Sequence, residues 1–151
     1  MILVSACLLG VNCKYNGTNN LNSDVIKLLS EEKLIPVCPE QLGGCSTPRP
    51  PVEIIGGDGR DVLDGKGRVI SKNGEDVTQN LIRGANEVLK LAKTLGIKKA
   101  ILKERSPSCG TCSIYDGTFS GKTLRGSGVA AQILKKSGIT VISEEDLKNG
   151  E

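Results

Sequence analysis

Four short apolar runs punctuate the chain: Ile2-Leu3-Val4-Ser5-Ala6, Leu34-Ile35-Pro36-Val37, Lys99-Ala100-Ile101-Leu102, and residues 139–142. Each is compact, bounded by turn-forming residues and nearly continuous, the pattern of a strand buried on both faces. Between them lie stretches of helical period. Val25, Ile26, Leu28 and Leu29 form one apolar face, with Ser23 as the expected N-cap. Residues 75–95 carry Val77, Leu81, Ile82, Ala85, Val88, Leu89, Ala92 and Leu95 at steps of three and four, closed by Gly96. Ser127 is expected to cap a further helix through Val129, Ala130, Ile133 and Leu134, which Gly138 ends. Ser143-Glu144-Glu145-Asp146 resembles a capping box for a short last turn.

Strand–helix alternation at this spacing predicts an α/β fold, a three-layer sandwich around a small, mostly parallel sheet. The expected strand order is 2-1-3-4, with a right-handed first crossover and the reversal between the first and third strands. Val52-Glu53-Ile54-Ile55, Asp61-Val62-Leu63 and Arg68-Val69-Ile70, separated by Gly-rich turns, read as a small antiparallel excursion. Asp58-Gly59-Arg60-Asp61 lacks the ligand spacing of a calcium loop and reads as turn chemistry. Residues 39–51 hold four prolines and two glycines and read as a shaped loop; residues 113–122 are polar and turn-rich.

Composition narrows the picture. A length of 151 residues suits one domain, taken as residues 1–151. With no Trp, one Phe and two Tyr, the core has to be aliphatic. A net charge of +3 without a concentrated basic cluster suits a small phosphorylated ligand better than stable nucleic-acid binding. No run is long enough to span a membrane, and the apolar start lacks the charged flank of a signal peptide. The expected location is the cytoplasm, where six cysteines are ligands, catalytic thiols or core residues rather than structural disulfides.

The chemistry is in the thiols. Cys7, Cys38 and Cys109 each succeed a predicted strand and enter a loop with Pro or Gly. In open α/β sheets ligands bind at the carboxyl ends of the strands, so three distant thiols can converge there. The absence of histidine excludes Ser-His and Cys-His nucleophilic sites and every His-containing metal site. Cys109-Gly110-Thr111-Cys112 is formally a redox C-x-x-C, but residues 113–122 beyond it show no helical period. Structural zinc needs a second close-spaced pair. None of the strand-end thiols is succeeded by the Arg of a phosphotransfer loop. An iron–sulfur cluster accepts thiolates from separate strand ends, and an iron left open is a Lewis acid. Glu40 and Ser106, close in sequence to Cys38 and Cys109, then become candidate proton-handling residues, against the plainer roles of a loop carboxylate and a turn hydroxyl.

These segments resemble a known family. Val4-Ser5-Ala6-Cys7-Leu8-Leu9-Gly10, Cys13-Lys14-Tyr15-Asn16-Gly17, Pro36-Val37-Cys38-Pro39-Glu40-Gln41-Leu42-Gly43-Gly44, Thr47-Pro48-Arg49, Ser106-Pro107-Ser108-Cys109-Gly110 and Tyr115-Asp116-Gly117-Thr118-Phe119-Ser120-Gly121 match the thiouracil desulfidases in order, over nearly the whole chain. The resemblance implies a Rossmann-like fold carrying a [4Fe-4S] cluster on three cysteines, with one iron open to a thiocarbonyl sulfur. Carried over by motif, the ligands are Cys7, Cys38 and Cys109, with Glu40 and Ser106 catalytic. The implied substrate is a thiolated pyrimidine, either free base or phosphorylated nucleoside. Ser108, Lys103 and Arg49 are expected to hold the developing anion, a carbonyl or a phosphate. The non-catalytic alternative is an iron–sulfur or zinc module that delivers sulfur or metal. Lys14 and Asn16 stand where the family more often has Arg and Asp, and Cys45 and Cys112 are additional thiols.

Overall fold

The computed structural model describes residues 1–149. Four parallel strands, β1 (Ile2–Ser5), β2 (Leu34–Val37), β5 (Lys99–Leu102) and β8 (Thr140–Ser143), form a sheet in the order β2-β1-β5-β8. In chain order of these four strands this is the expected 2-1-3-4. Both faces are covered, which explains the continuous apolar runs. Leu3, Ala100 and Leu102 point into one core with Val88, Ala92, Ala131 and Leu134. Ile2, Val4 and Ile101 point into the opposite core with Leu8 and Val25. The two-residue alternation of a strand thus sorts each run between two apolar layers.

The first layer is built by α4 (Thr78–Leu95) and α5 (Val129–Lys136), and the second by α1 (Ser23–Lys27) with short 3-10 turns. A third core lies on the far side of α4 and α5. There Leu81, Ala85, Val129 and Ala130 meet Ile54, Val62, Val69 and Ile114. It is roofed by the antiparallel pair β3 (Val52–Ile55) and β4 (Arg68–Ser71), by α3 (Gly59–Leu63), and by the hairpin of β6 (Ser113–Tyr115) and β7 (Thr123–Arg125). Among the described residues no helix is long and apolar enough to cross a membrane.

Several local expectations are corrected. Asp61-Val62-Leu63 is helical, not a strand. Asp58 accepts from the Arg60 and Asp61 backbones, and Asp61 accepts from the Asp58 N–H, a reciprocal capping box that closes the turn as a helix. Asn22, not Ser23, caps α1 by accepting from Val25 N. Gly128, not Ser127, occupies the N-cap of α5; the Ser127 hydroxyl donates to the Thr111 carbonyl instead. The long helix begins at Thr78 because Asp76 bridges back to Ile70, keeping the preceding residues beside β4. Residues 113–122, read as turn-rich, instead supply the first strand and the connection of the β6–β7 hairpin, whose second strand ends at Arg125. The expected last cap is present: Ser143 Oγ accepts from Glu145 N, and Asp146 accepts from Ser143 N.

The stretch after Cys38 is also more regular than a loop. Residues Pro39–Leu42 make one helical turn, α2, with proline at its first position. This turn crosses α4 with backbones in direct contact. A Cβ on Gly84 would lie 1.9 Å from the Pro39 carbonyl oxygen, and one on Gly43 1.9 Å from that of Asn80. Glycine inside a helix costs about 1 kcal/mol against alanine, so close approach accounts for its presence. Gly84→Ala is therefore expected to destabilise the fold by roughly 1–3 kcal/mol, because the overlap forces α2 away. A lowered urea midpoint checks this. An unchanged midpoint would mean that the contact is slack.

Candidate active site

The strand order reverses between β1 and β5, and a cavity of about 490 Å³ opens beside their carboxyl ends. Cys7, Cys38 and Cys109 all line it. Cys7 lies in the 3-10 turn Ala6–Leu9 directly after β1, and Cys38 is the N-cap residue of α2 directly after β2. Cys109 closes the loop that leaves β5. Ser106 Oγ accepts from the N–H groups of Ser108 and Cys109, folding Ser-Pro-Ser-Cys into a tight turn. The next residue, Gly110, has no room for a side chain: its Cβ would lie 2.7 Å from the Ser106 carbonyl.

A fourth thiol shares the cavity. Cys13 is buried, and its carbonyl oxygen lies 3.9 Å from Cys38 Sγ. As a thiolate, Cys38 takes a hydrogen bond from the Cys13 thiol. That bond lowers the Cys38 pKa against the opposing effects of burial and Glu40, and raises that of Cys13 far above a free thiol. Burial pushes Cys7 up, partly offset by a hydrogen bond with Asn20. Burial also pushes Cys109 well up, with Glu40 adding to it and a hydrogen bond from Ser5 opposing it. Glu40 thus acts on the ionisation of Cys7, Cys38 and Cys109 across one space. Among the described residues no three Cys, Asp or Glu side chains close on a single-ion site. Cys45 and Cys112 lie outside the cavity lining: Cys45 packs against the third core and Cys112 is exposed.

The other expected residues divide. Glu40, on α2, faces the cavity with Oε1 3.9 Å from Cys38 Sγ and Oε2 3.7 Å from Arg49 Nη2. Arg49 is almost fully buried. Besides Glu40 it donates to the Cys13 carbonyl at 3.0 Å and to Thr47 Oγ1 at 3.1 Å, so it ties the Cys13 loop to α2. Lys103 lines the cavity but is ion-paired to Glu144 at 3.0 Å. Ser106 lines the cavity too, and its hydroxyl proton has no acceptor among the described residues. Ser108, expected to contact substrate, is instead fully buried outside the lining, and its carbonyl accepts from Ala130 and Ala131 at the start of α5.

Two carboxylates that sequence reasoning passed over organise the rim. Buried Glu104 accepts through Oε1 from Thr111, Cys112 and Ser113 at 2.7–3.2 Å, and its own N–H donates to Glu144. It therefore holds the far end of the Cys109 loop. Glu53, on β3, is buried and accepts from the N–H groups of Gly117 and Phe119. Neither shows a periodic signal. The available hint is an acidic residue within or directly after an apolar run.

The chain matches the 2-thiouracil desulfurase family over residues 2–146. It is 52% identical over 149 residues to the uncharacterized protein YbbK of Bacillus subtilis (strain 168), covering 99% of each chain. Its fold superposes on a solved [4Fe-4S]-dependent thiouracil desulfidase, TudS, with a TM-score of 0.84 and 39% identity, covering 98% of this chain and 93% of that one.

Proposed function

This chain belongs to the 2-thiouracil desulfurase family, and on that premise we propose that it hydrolyses a thiolated pyrimidine, as base or nucleotide, to the oxo-pyrimidine and sulfide. The observation that carries the reading is the meeting of Cys7, Cys38 and Cys109 with Glu40 around one cavity. The donor set fits a [4Fe-4S] cluster: it is all sulfur, it comes from three strand ends, and the thiols surround a space instead of closing on one ion. Each cysteine of such a cluster binds its own iron. Three protein ligands leave one iron open, which when bound supplies a Lewis acid for the thione sulfur and a place to hold sulfide.

The chain's own residues account for the rest. Glu40 takes the proton of the attacking water, and Arg49 behind it balances the carboxylate charge and fixes its orientation. The free Ser106 hydroxyl proton is directed to the oxygen or nitrogen that gains charge as water adds. Lys103, held by Glu144, contributes a fixed positive field at the cavity wall. Lys14 and Lys72 line the cavity and make no ion pair among the described residues, which suits an anionic substituent such as a phosphate. Hydrolysis leaves the oxidation states of carbon and sulfur unchanged, so turnover needs no reductant.

Anaerobic reconstitution with iron and sulfide, then addition of 4-thiouracil and 4-thio-UMP, tests the reading. Loss of thione absorbance with release of sulfide is expected. A stable cluster that leaves both compounds intact would make the protein a sulfur- or metal-delivery module instead.

A further inference from the structure

The chain has only three aromatic residues, two Tyr and one Phe among 151, and no Trp. All three, Tyr15, Tyr115 and Phe119, line the cavity that holds the thiols. None belongs to a hydrophobic core, where rings ordinarily contribute most by burial. They come from two separate segments: Tyr15 from the loop after the first 3-10 turn, Tyr115 and Phe119 from the β6–β7 hairpin.

The placement of Phe119 carries a cost that packing does not explain. Its φ is +55°, in the left-handed region that a bulky side chain seldom adopts. What holds it there is Glu53, whose Oε1 accepts from Gly117 N at 2.9 Å and Phe119 N at 3.2 Å. Glu53 is itself only 8% exposed and forms no ion pair among the described residues. A buried carboxylate and a strained backbone are thus both committed to setting the only phenyl ring at the wall of the thiol-lined cavity. Strain of this kind gathers where a ligand is clamped.

We infer that Phe119, with the two tyrosines, is the stacking wall that binds a planar heteroaromatic ring in this cavity and turns its substituent toward the thiols. Stacking on an aromatic side chain is sequence-tolerant and strong enough to change affinity by about 10-fold or more. It recognises the ring, whereas the thiols and Glu40 address the substituent. The inference rests on the proposed desulfurisation for the identity of the substrate, but not for the existence of a ring site.

The reconstituted Phe119→Trp protein provides the test, because its introduced indole is the only one in the chain. Uracil and UMP are expected to change its emission saturably, while ribose 5-phosphate, which lacks the ring, leaves it unchanged. Phe119→Leu is expected to raise KM for 4-thiouracil about 10-fold or more with kcat little affected, and Phe119→Tyr to restore it. Phe119→Gly, which relieves the backbone, should match or exceed the parent in urea yet share the KM defect. A KM within about twofold of the parent in Phe119→Leu, or an indole indifferent to uracil, would overturn the stacking wall. Saturable indole quenching without any desulfurisation would overturn the proposed reaction and leave the ring site intact. Turnover with an unaltered KM would do the reverse.

Discussion

Cys38→Ala is expected to yield a folded protein that assembles no cluster and has no turnover above background. The fold should survive because Cys38 makes no side-chain capping bond at α2, and Ala fills the same backbone position. Three thiols from strand ends line the cavity, and the fourth, Cys13, belongs to the loop beyond the Ala6–Leu9 turn rather than to a strand end. Removing one leaves two, too few to retain a four-iron cluster against chelation by solvent thiols. Iron and acid-labile sulfide per chain after anaerobic reconstitution, beside circular dichroism for the fold, measure this. The control is Cys112→Ser: that thiol is exposed and outside the cavity, and its loss should leave the metal content of the parent. A Cys38→Ala protein that keeps a full iron content would mean that Cys13 or Cys45 is a ligand and that the three-cysteine assignment is wrong.

Glu40→Gln should separate chemistry from assembly. The amide keeps the shape of the carboxylate but cannot take a proton from water, and loss of a general base costs roughly 10²–10⁴-fold in rate. The cluster is expected to remain. Glu40 is 3.9 Å from Cys38 Sγ, beyond a close contact that the amide would disturb. Arg49 loses its ion partner but keeps its hydrogen bonds to Cys13, Ser46 and Thr47, so the wall behind Glu40 should stay in place. The measurement is kcat for 4-thiouracil at matched iron content. Near-parental turnover would remove Glu40 from the role of base and turn attention to the Ser106 hydroxyl.

The sheet is legible in the sequence because burial on both faces leaves a mark that turns cannot hide. Four aliphatic runs separated by helical periods restrict the order of parallel strands to few choices, and β2-β1-β5-β8 is the one adopted. Convergence of three strand-end thiols obeys the same logic, since chain connectivity places those ends on one edge. The elements that sequence reasoning misses are local and short. Three apolar or acidic residues, Asp61 to Leu63, carry no period, and the reciprocal Asp58–Asp61 cap decides for a helix. The β6–β7 hairpin fully buries Ile114 alone, with Leu124 half-buried beside it, too little for a pattern. Ser108 reads as part of the site because it is one residue from Cys109, yet the turn that presents the thiol sends that serine into the protein. Glu53 and Glu104 are buried carboxylates satisfied by backbone N–H groups distant in sequence, and pairing of that kind exists only once the chain has folded.

The sharpest test of a hydrolytic, cluster-dependent desulfurisation is turnover of 4-thiouracil in ¹⁸O-labelled water, without reductant, by the anaerobically reconstituted protein. Uracil should appear with one labelled oxygen at the former thione carbon, and one sulfide should be released for each thione consumed, through many turnovers. Unlabelled product, a strict need for reductant, or thione consumed without matching sulfide would rule hydrolysis out.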